Sequence, residues 1–152
     1  MPLSGKEMCD MKYHFKIHKE GKGYWAQCIE FSGCITEAHS MNQLRKNMEE
    51  ALNLYLDEPI NSDDIASLPK KNIKKSKNII EVDVDPNIAF AFLIRYYRIT
   101  HGLTQQEAAK KMGFDTIYSY QRLETKKCNP GLKIISKVKQ IFPDFSIDLV
   151  LK

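Results

Sequence analysis

The chain has 152 residues, 43% hydrophobic and 28% charged, the make-up of a globular protein with room for one ordinary domain or two small ones. No apolar run approaches the ~18 residues needed to cross a bilayer, and no charged-then-apolar leader opens it, so a cytoplasmic protein without membrane contact is expected. The formal net charge of +4 is unevenly spread: residues 11–69 hold six Lys/Arg against nine Asp/Glu, and residues 87–142 hold ten against three. An acidic front and a basic back point to two modules with different partners, the basic one carrying the electrostatic footprint of a nucleic-acid binder.

The ten residues "MPLSGKEMCD" precede patterned sequence and are expected to form a disordered extension. From Met11, "MKYHFKIHKEGKGYWAQCIEF" alternates apolar and polar on both sides of "EGKG". Tyr13, Phe15 and Ile17 share one strand face. Trp25, Gln27, Ile29 and Phe31 share a face on the next, with glycines at 21 and 23 supplying a hairpin turn. "CITEA" (34–38) is a third short strand. Ser40 and Gln43 have the spacing of a capping box, and Met41, Leu44, Met48, Leu52 and Tyr55 recur at helical spacing up to Asp57.

Periodicity then vanishes from Glu58 to Asn78, where prolines and the run "KKNIKKSK" predict a flexible basic connection. "IIEVDV" (79–84) alternates again, with Ile80, Val82 and Val84 inward, as a late strand returning to the first sheet.

Asp85-Pro86 opens a helix whose stripe is Ile88, Phe92, Tyr96 and Ile99, ending at Gly102. "TQQE" at Thr104 is a capping box for the next helix, closed by Gly113. Asp115 caps a third, roughly 116–125. A further helix begins at Pro130 with Leu132, Ile135, Val138 and Phe142 on one side. Finally "FSIDLVLK" alternates Phe145, Ile147, Leu149 and Leu151, which predicts a terminal strand. Lacking a sheet of its own, it is expected to pair with a second copy of itself and bury those four side chains at a dimer seam; the competing reading folds it back onto its own chain.

Small residues Ala108 and Ala109 allow a close helix crossing and Gly113 a sharp turn, the chemistry of a helix-turn-helix. On the following helix Ile117, Tyr120 and Leu123 form the inward side. Tyr118, Gln121, Arg122 and Thr125 lie opposite, with Thr116 and Ser119 as shoulders. Each of these outward side chains can hydrogen-bond to base edges or phosphates, and none is acidic.

"LTQQEAAKKMG…YQRLE…NPGLKIISKVKQIF" resembles the phage-repressor or Xre-type helix-turn-helix. The resemblance implies a phosphate contact for Gln105 and major-groove contacts for Thr116, Tyr118, Ser119, Gln121 and Arg122. Nine residues separate Gly113 from Leu123, where that family usually has eight. The front, "EGKGYWAQCIEFSGCITEAHSMNQLRKNMEEALNLYLDE", resembles HicB-type antitoxins, with "IEFSGC" standing where the family has "PDLPGC".

Together the resemblances imply an α+β protein. A β-β-β-α-β degenerate ribonuclease-H-like domain (11–84, with 58–78 as the basic connection) blocks a HicA-type ribonuclease toxin, with Tyr24, Trp25, Cys34 and Thr36 as candidate contacts. An all-α helix-turn-helix domain (85–144) represses the operon by binding double-stranded operator DNA. Independently of the resemblances, the unpaired segment 145–152 is expected to be a dimerisation strand, giving a homodimer or higher. The alternative is a stand-alone repressor whose front module senses a small molecule.

A working nuclease is the third reading. It is disfavoured because "KYHFKIH" carries no Asp or Glu for metal-assisted chemistry. No serine- or cysteine-hydrolase motif is present, so no catalytic residue is expected. The four cysteines (Cys9, Cys28, Cys34, Cys128) form no CxxC pair and no metal-like spacing with His14, His18, His39 or His101. Reduced thiols, no metal and no cofactor are therefore expected.

Overall fold

The computed structural model describes residues 11–151; the expected N-terminal extension, residues 1–10, lies outside the described residues. The chain divides into two compact units, one built from 11–56 with 67–84, the other from 57–66 with 85–151.

In the first unit β1 (Lys12–Glu20), β2 (Gly23–Cys28), β3 (Ile35–Ala38) and β4 (Ile79–Asp83) form an antiparallel sheet in the order β3-β2-β1-β4, and α1 (Met41–Leu56) packs on it. The order is thus β-β-β-α-β, with β4 returning beside β1. Gly21 adopts φ +60°, the left-handed turn conformation that spares glycine a Cβ clash. The pairs Phe15–Cys28, Ile17–Ala26, Tyr13–Val82 and Phe15–Ile80 lie directly across from one another. Tyr13, Phe15, Ala26, Cys28 and Val82 are buried, as are Leu44, Met48, Leu52 and Leu56 of α1.

Trp25 belongs to the opposite face, with His18 and Glu37 as its cross-strand neighbours. The second strand ends at Cys28, so Ile29 and Phe31 do not continue its face. Phe31 instead folds into a buried contact with Tyr13, ring centroids 4.9 Å apart.

Glu30 acts as a fastener. Its carboxylate accepts the His14 backbone N–H at 2.9 Å and the Lys70 N–H at 3.1 Å, and lies 2.7 Å from His14 Nδ1, its side chain wholly shielded from water. With Tyr13 Oη donating to the Ser67 carbonyl at 2.9 Å, the segment expected to be a loose tether is tied to β1.

The second unit contains α2 (Pro86–Thr100), α3 (Gln105–Lys111), α4 (Ile117–Gln121) continuing into a 3-10 turn (Arg122–Glu124), and α5 (Leu132–Ile141). The apolar stripe anticipated for α2 is too narrow. Ala89 to Arg95 are all buried, the pattern of a helix surrounded on most sides. The N-cap position of the third helix falls on Thr116 rather than Asp115, with no side-chain capping bond. In α5 the first helical residue is Leu132 rather than Pro130, so Leu132 points to solvent at 85% exposure while Val138 and Phe142 are buried.

The terminal strand does not form. Residues 147–149 make a single 3-10 turn, and burial does not alternate: Phe145 and Val150 are buried and Leu151 is exposed. Phe145 is captured by its own unit, with ring centroids 5.7 Å from both Phe90 and Tyr97. Lys139 Nζ donates to the Pro143 and Phe145 carbonyls, and Tyr97 Oη donates to that of Asp144. Of the four side chains expected at a seam, Phe145 is thus buried within its own unit, while Ile147 and Leu149 are half-buried and Leu151 is exposed.

Candidate functional site

In the helical unit the site is built from α3 outward. Thr104 Oγ1 accepts the Glu107 N–H at 3.1 Å and the Glu107 carboxylate accepts the Thr104 N–H at 3.3 Å, the reciprocal cap expected from "TQQE". Ala108 and Ala109 are buried, and Gly113 turns the chain at φ +79°. On the next helix Tyr120 and Leu123 face inward.

Beneath them, Glu124 takes Arg98 Nε at 2.7 Å and Nη2 at 3.2 Å, while Arg95 Nη2 donates to the Glu124 carbonyl at 2.8 Å. Burial works to lower the Arg98 pKa, but the hydrogen bonds and charge of Glu124 outweigh it and hold the guanidinium charged. The same burial pushes the Tyr120 phenol well above its ordinary range. α4 is therefore anchored at its C-terminal end by an internal ion cluster.

Of the six residues expected to meet DNA, Thr116, Tyr118, Ser119 and Arg122 are exposed, Tyr118 to 75%. Thr116 and Ser119 hydroxyls lie 3.3 Å apart. Gln105 and Gln121 are half-buried rather than free: Gln121 Nε2 donates to Gln105 Oε1 at 3.0 Å, and Gln105 Nε2 donates to the Ile60 carbonyl at 2.8 Å. A shallow groove of about 620 Å³ runs beside Arg122, Lys126 and Lys127, with Asp57, Glu58 and Ile60 also lining it. Sequence reasoning missed the two lysines and the acidic segment. The pair "KK" directly after the helix was the available signal for the lysines.

In the sheet unit a second groove, about 850 Å³, is lined by Tyr24, Trp25, Glu37, His39, Gln43 and Asn47 among others. Trp25 stacks on His18 with centroids 4.0 Å apart and planes 16° from parallel, on the sheet face opposite the buried residues. It is half-buried, not a core side chain. Tyr24 and Thr36 are half-buried also, and Trp25 and Thr36 line a further hollow with Ile35 and Glu37. Cys34 does not join them. It is 3% exposed, and burial pushes its thiol up to about 11, so it is a core residue and not a surface contact.

No group of three or more His, Cys, Asp or Glu among the described residues is placed to hold a metal ion. No helix among them is long and apolar enough to cross a membrane.

These observations define a two-unit α+β protein: a four-stranded antiparallel sheet with one helix, and a unit of short helices that carries a polar and basic face. No family model matches the chain. It is 36% identical over 56 residues to a UPF0150 protein of Helicobacter pylori (strain J99), an alignment that takes in 37% of this chain and 76% of that protein. The chain therefore belongs to the UPF0150 family.

Proposed function

We propose that the chain is a HicB-type antitoxin. Its sheet unit, a degenerate ribonuclease-H-like domain, binds and inhibits a HicA-type mRNA-cleaving toxin. Its helical unit is an Xre-type helix-turn-helix that represses the operon, and the chain performs no catalytic step of its own. The observation that carries the DNA half is the split of α4: Tyr120 and Leu123 inward, and Thr116, Tyr118, Ser119 and Arg122 outward beside Lys126 and Lys127. The UPF0150 relationship and the exposed Trp25 face support the toxin half, since a half-exposed aromatic is a common interface anchor. A two-fold operator calls for two copies of the chain, with a seam other than the packed tail.

Binding to DNA from upstream of the chain's own gene tests the first half. Arg122→Ala is expected to cost about 1–3 kcal/mol on the cognate site, and Gln105→Ala to weaken all sequences about equally. Co-expression with the neighbouring gene product tests the second. Trp25→Ala is expected to abolish rescue of growth while the protein stays folded. The reading of the sheet unit as a small-molecule sensor draws on the 850 Å³ groove; it predicts repression that responds to a metabolite and is indifferent to any neighbouring protein.

A further inference from the structure

Residues 57–66, "DEPINSDDIA", carry four acids and no Lys or Arg, form no helix or strand, and group with the helical unit. Their contacts repeat one theme, an oxygen of the segment meeting a donor of the helices. The Ile60 carbonyl takes the Gln105 amide at 2.8 Å. The Pro59 and Ser62 carbonyls each lie 3.4 Å from an Nη2, of Arg95 and Arg98 respectively, and Asp63 Oδ1 lies 3.1 Å from the Arg98 Nη2. Asp57 Oδ2 is 3.5 Å from Lys126 Nζ, and Asp57 and Glu58 share the groove of Arg122, Lys126 and Lys127.

A run of acceptor oxygens with dense negative charge is the chemistry a nucleic-acid backbone offers. Gln105 and Lys126 are donors that a phosphate chain passing this face would use. Gln105 Nε2 gives one N–H to the Ile60 carbonyl and lies 3.4 Å from Glu124 Oε1 with the other, so neither is free for a phosphate while Ile60 holds it. The Asp57 carboxylate also offsets the Lys126 charge from a short distance. The other contacts, to Arg95 and Arg98, are internal and give the segment a fixed seat.

We propose that residues 57–66 are an internal anionic strap that competes with duplex phosphates for Gln105 and Lys126, so that DNA binding requires the strap to lift. The inference rests on the DNA-binding half of the proposed function. It sets a reduced affinity in the resting chain, released by whatever displaces the strap. Both ends of the strap run directly into the sheet unit, after Leu56 and before Ser67, so the strap is covalently continuous with the unit proposed to bind toxin.

The test uses the full chain and a short random-sequence duplex at low salt. Asp57→Asn with Asp63→Asn is compared with a charge-matched control, Glu50→Gln with Asp83→Asn, both acids of the sheet unit. The strap variant is expected to bind at least threefold tighter than the control; equal gains in both overturn the proposal, because they reflect net charge alone. A nitroxide at Asn61→Cys, in a Cys9→Ser background, reads the strap directly. It is expected to be immobilised in the free chain and to become mobile as duplex is added. A label that stays immobilised while duplex binds overturns the strap and leaves DNA binding standing. Failure of every variant to bind duplex overturns both readings together.

Discussion

Arg98 Nε and Glu124 Oε2 are 2.7 Å apart, and the two side chains are 2% and 0% exposed. This pair fastens the end of the α4 segment to α2, so the candidate DNA face is held from inside by an ionic contact. Glu124 also lies 3.4 Å from Arg95 Nε, which makes one carboxylate the partner of two buried guanidinium groups.

Glu124→Ala is expected to destabilise the helical unit by about 3–5 kcal/mol, since it strands two buried positive charges. Arg98→Met with Glu124→Leu should recover only part of that loss, because Arg95 stays buried without its carboxylate. Urea unfolding of the three proteins checks this; a single variant as stable as the parent would contradict the role given to the pair.

Gln105 and Gln121 are expected to act as one unit. Gln121 orients the Gln105 amide through the 3.0 Å bond, so removing either disturbs the other. Alanine changes at both positions should show a coupling of about 0.5–3 kcal/mol in duplex binding. Fluorescence anisotropy on the two single variants and the double variant measures it, and strictly additive losses would rule the coupling out.

Phe145 is expected to matter for stability rather than assembly. Phe145→Ala removes a ring seated between Phe90 and Tyr97 and should cost about 3–5 kcal/mol. Light scattering should return the same mass for variant and parent. A change of mass without loss of melting temperature would restore the tail as a subunit contact.

The buried thiols make the fold sensitive to alkali. Burial pushes Cys28 up to about 12, and Cys34 and Cys128 up to about 11, from an ordinary value of 9.0. The folded chain therefore keeps protons that the unfolded chain sheds above pH 9. Stability from this source is fully present below about pH 9 and is lost as pH rises through 11 to 12. Burial of the Tyr13 and Tyr120 phenols acts in the same direction at higher pH. Thermal melts between pH 7 and 11 should be level to about pH 9 and then fall; a level profile throughout would count against the thiols as buried neutral groups.

Local chemistry was the legible part of the sequence. The hairpin turn at Gly21, the reciprocal cap between Thr104 and Glu107, and the Gly113 turn each depend on a few adjacent residues, and each forms as their types dictate. The inward side of α4 was legible for the same reason, because helical spacing alone puts Tyr120 and Leu123 together.

What could not be read depends on residues far apart in the chain. The alternation of Phe145, Ile147, Leu149 and Leu151 has the period of a strand, but the pocket of Phe90 and Tyr97 takes Phe145 first. The segment 57–66 has no periodicity, and its attachment runs through backbone carbonyls, which no side-chain pattern reports. Cys34 was a candidate contact only through the family resemblance, which does not report burial; it is 3% exposed.

The two units are interleaved along the chain: 11–56 and 67–84 make the sheet unit, while 57–66 and 85–151 make the helical one. A gene fusion with a single crossover at residue 85 would hand a newcomer helical module the previous owner's strap, cut to a different set of donors. Moving the helical module intact means replacing two separate stretches of coding sequence at once. Under the proposed function, such an arrangement favours joint inheritance of operator and partner specificity over the shuffling of one against the other.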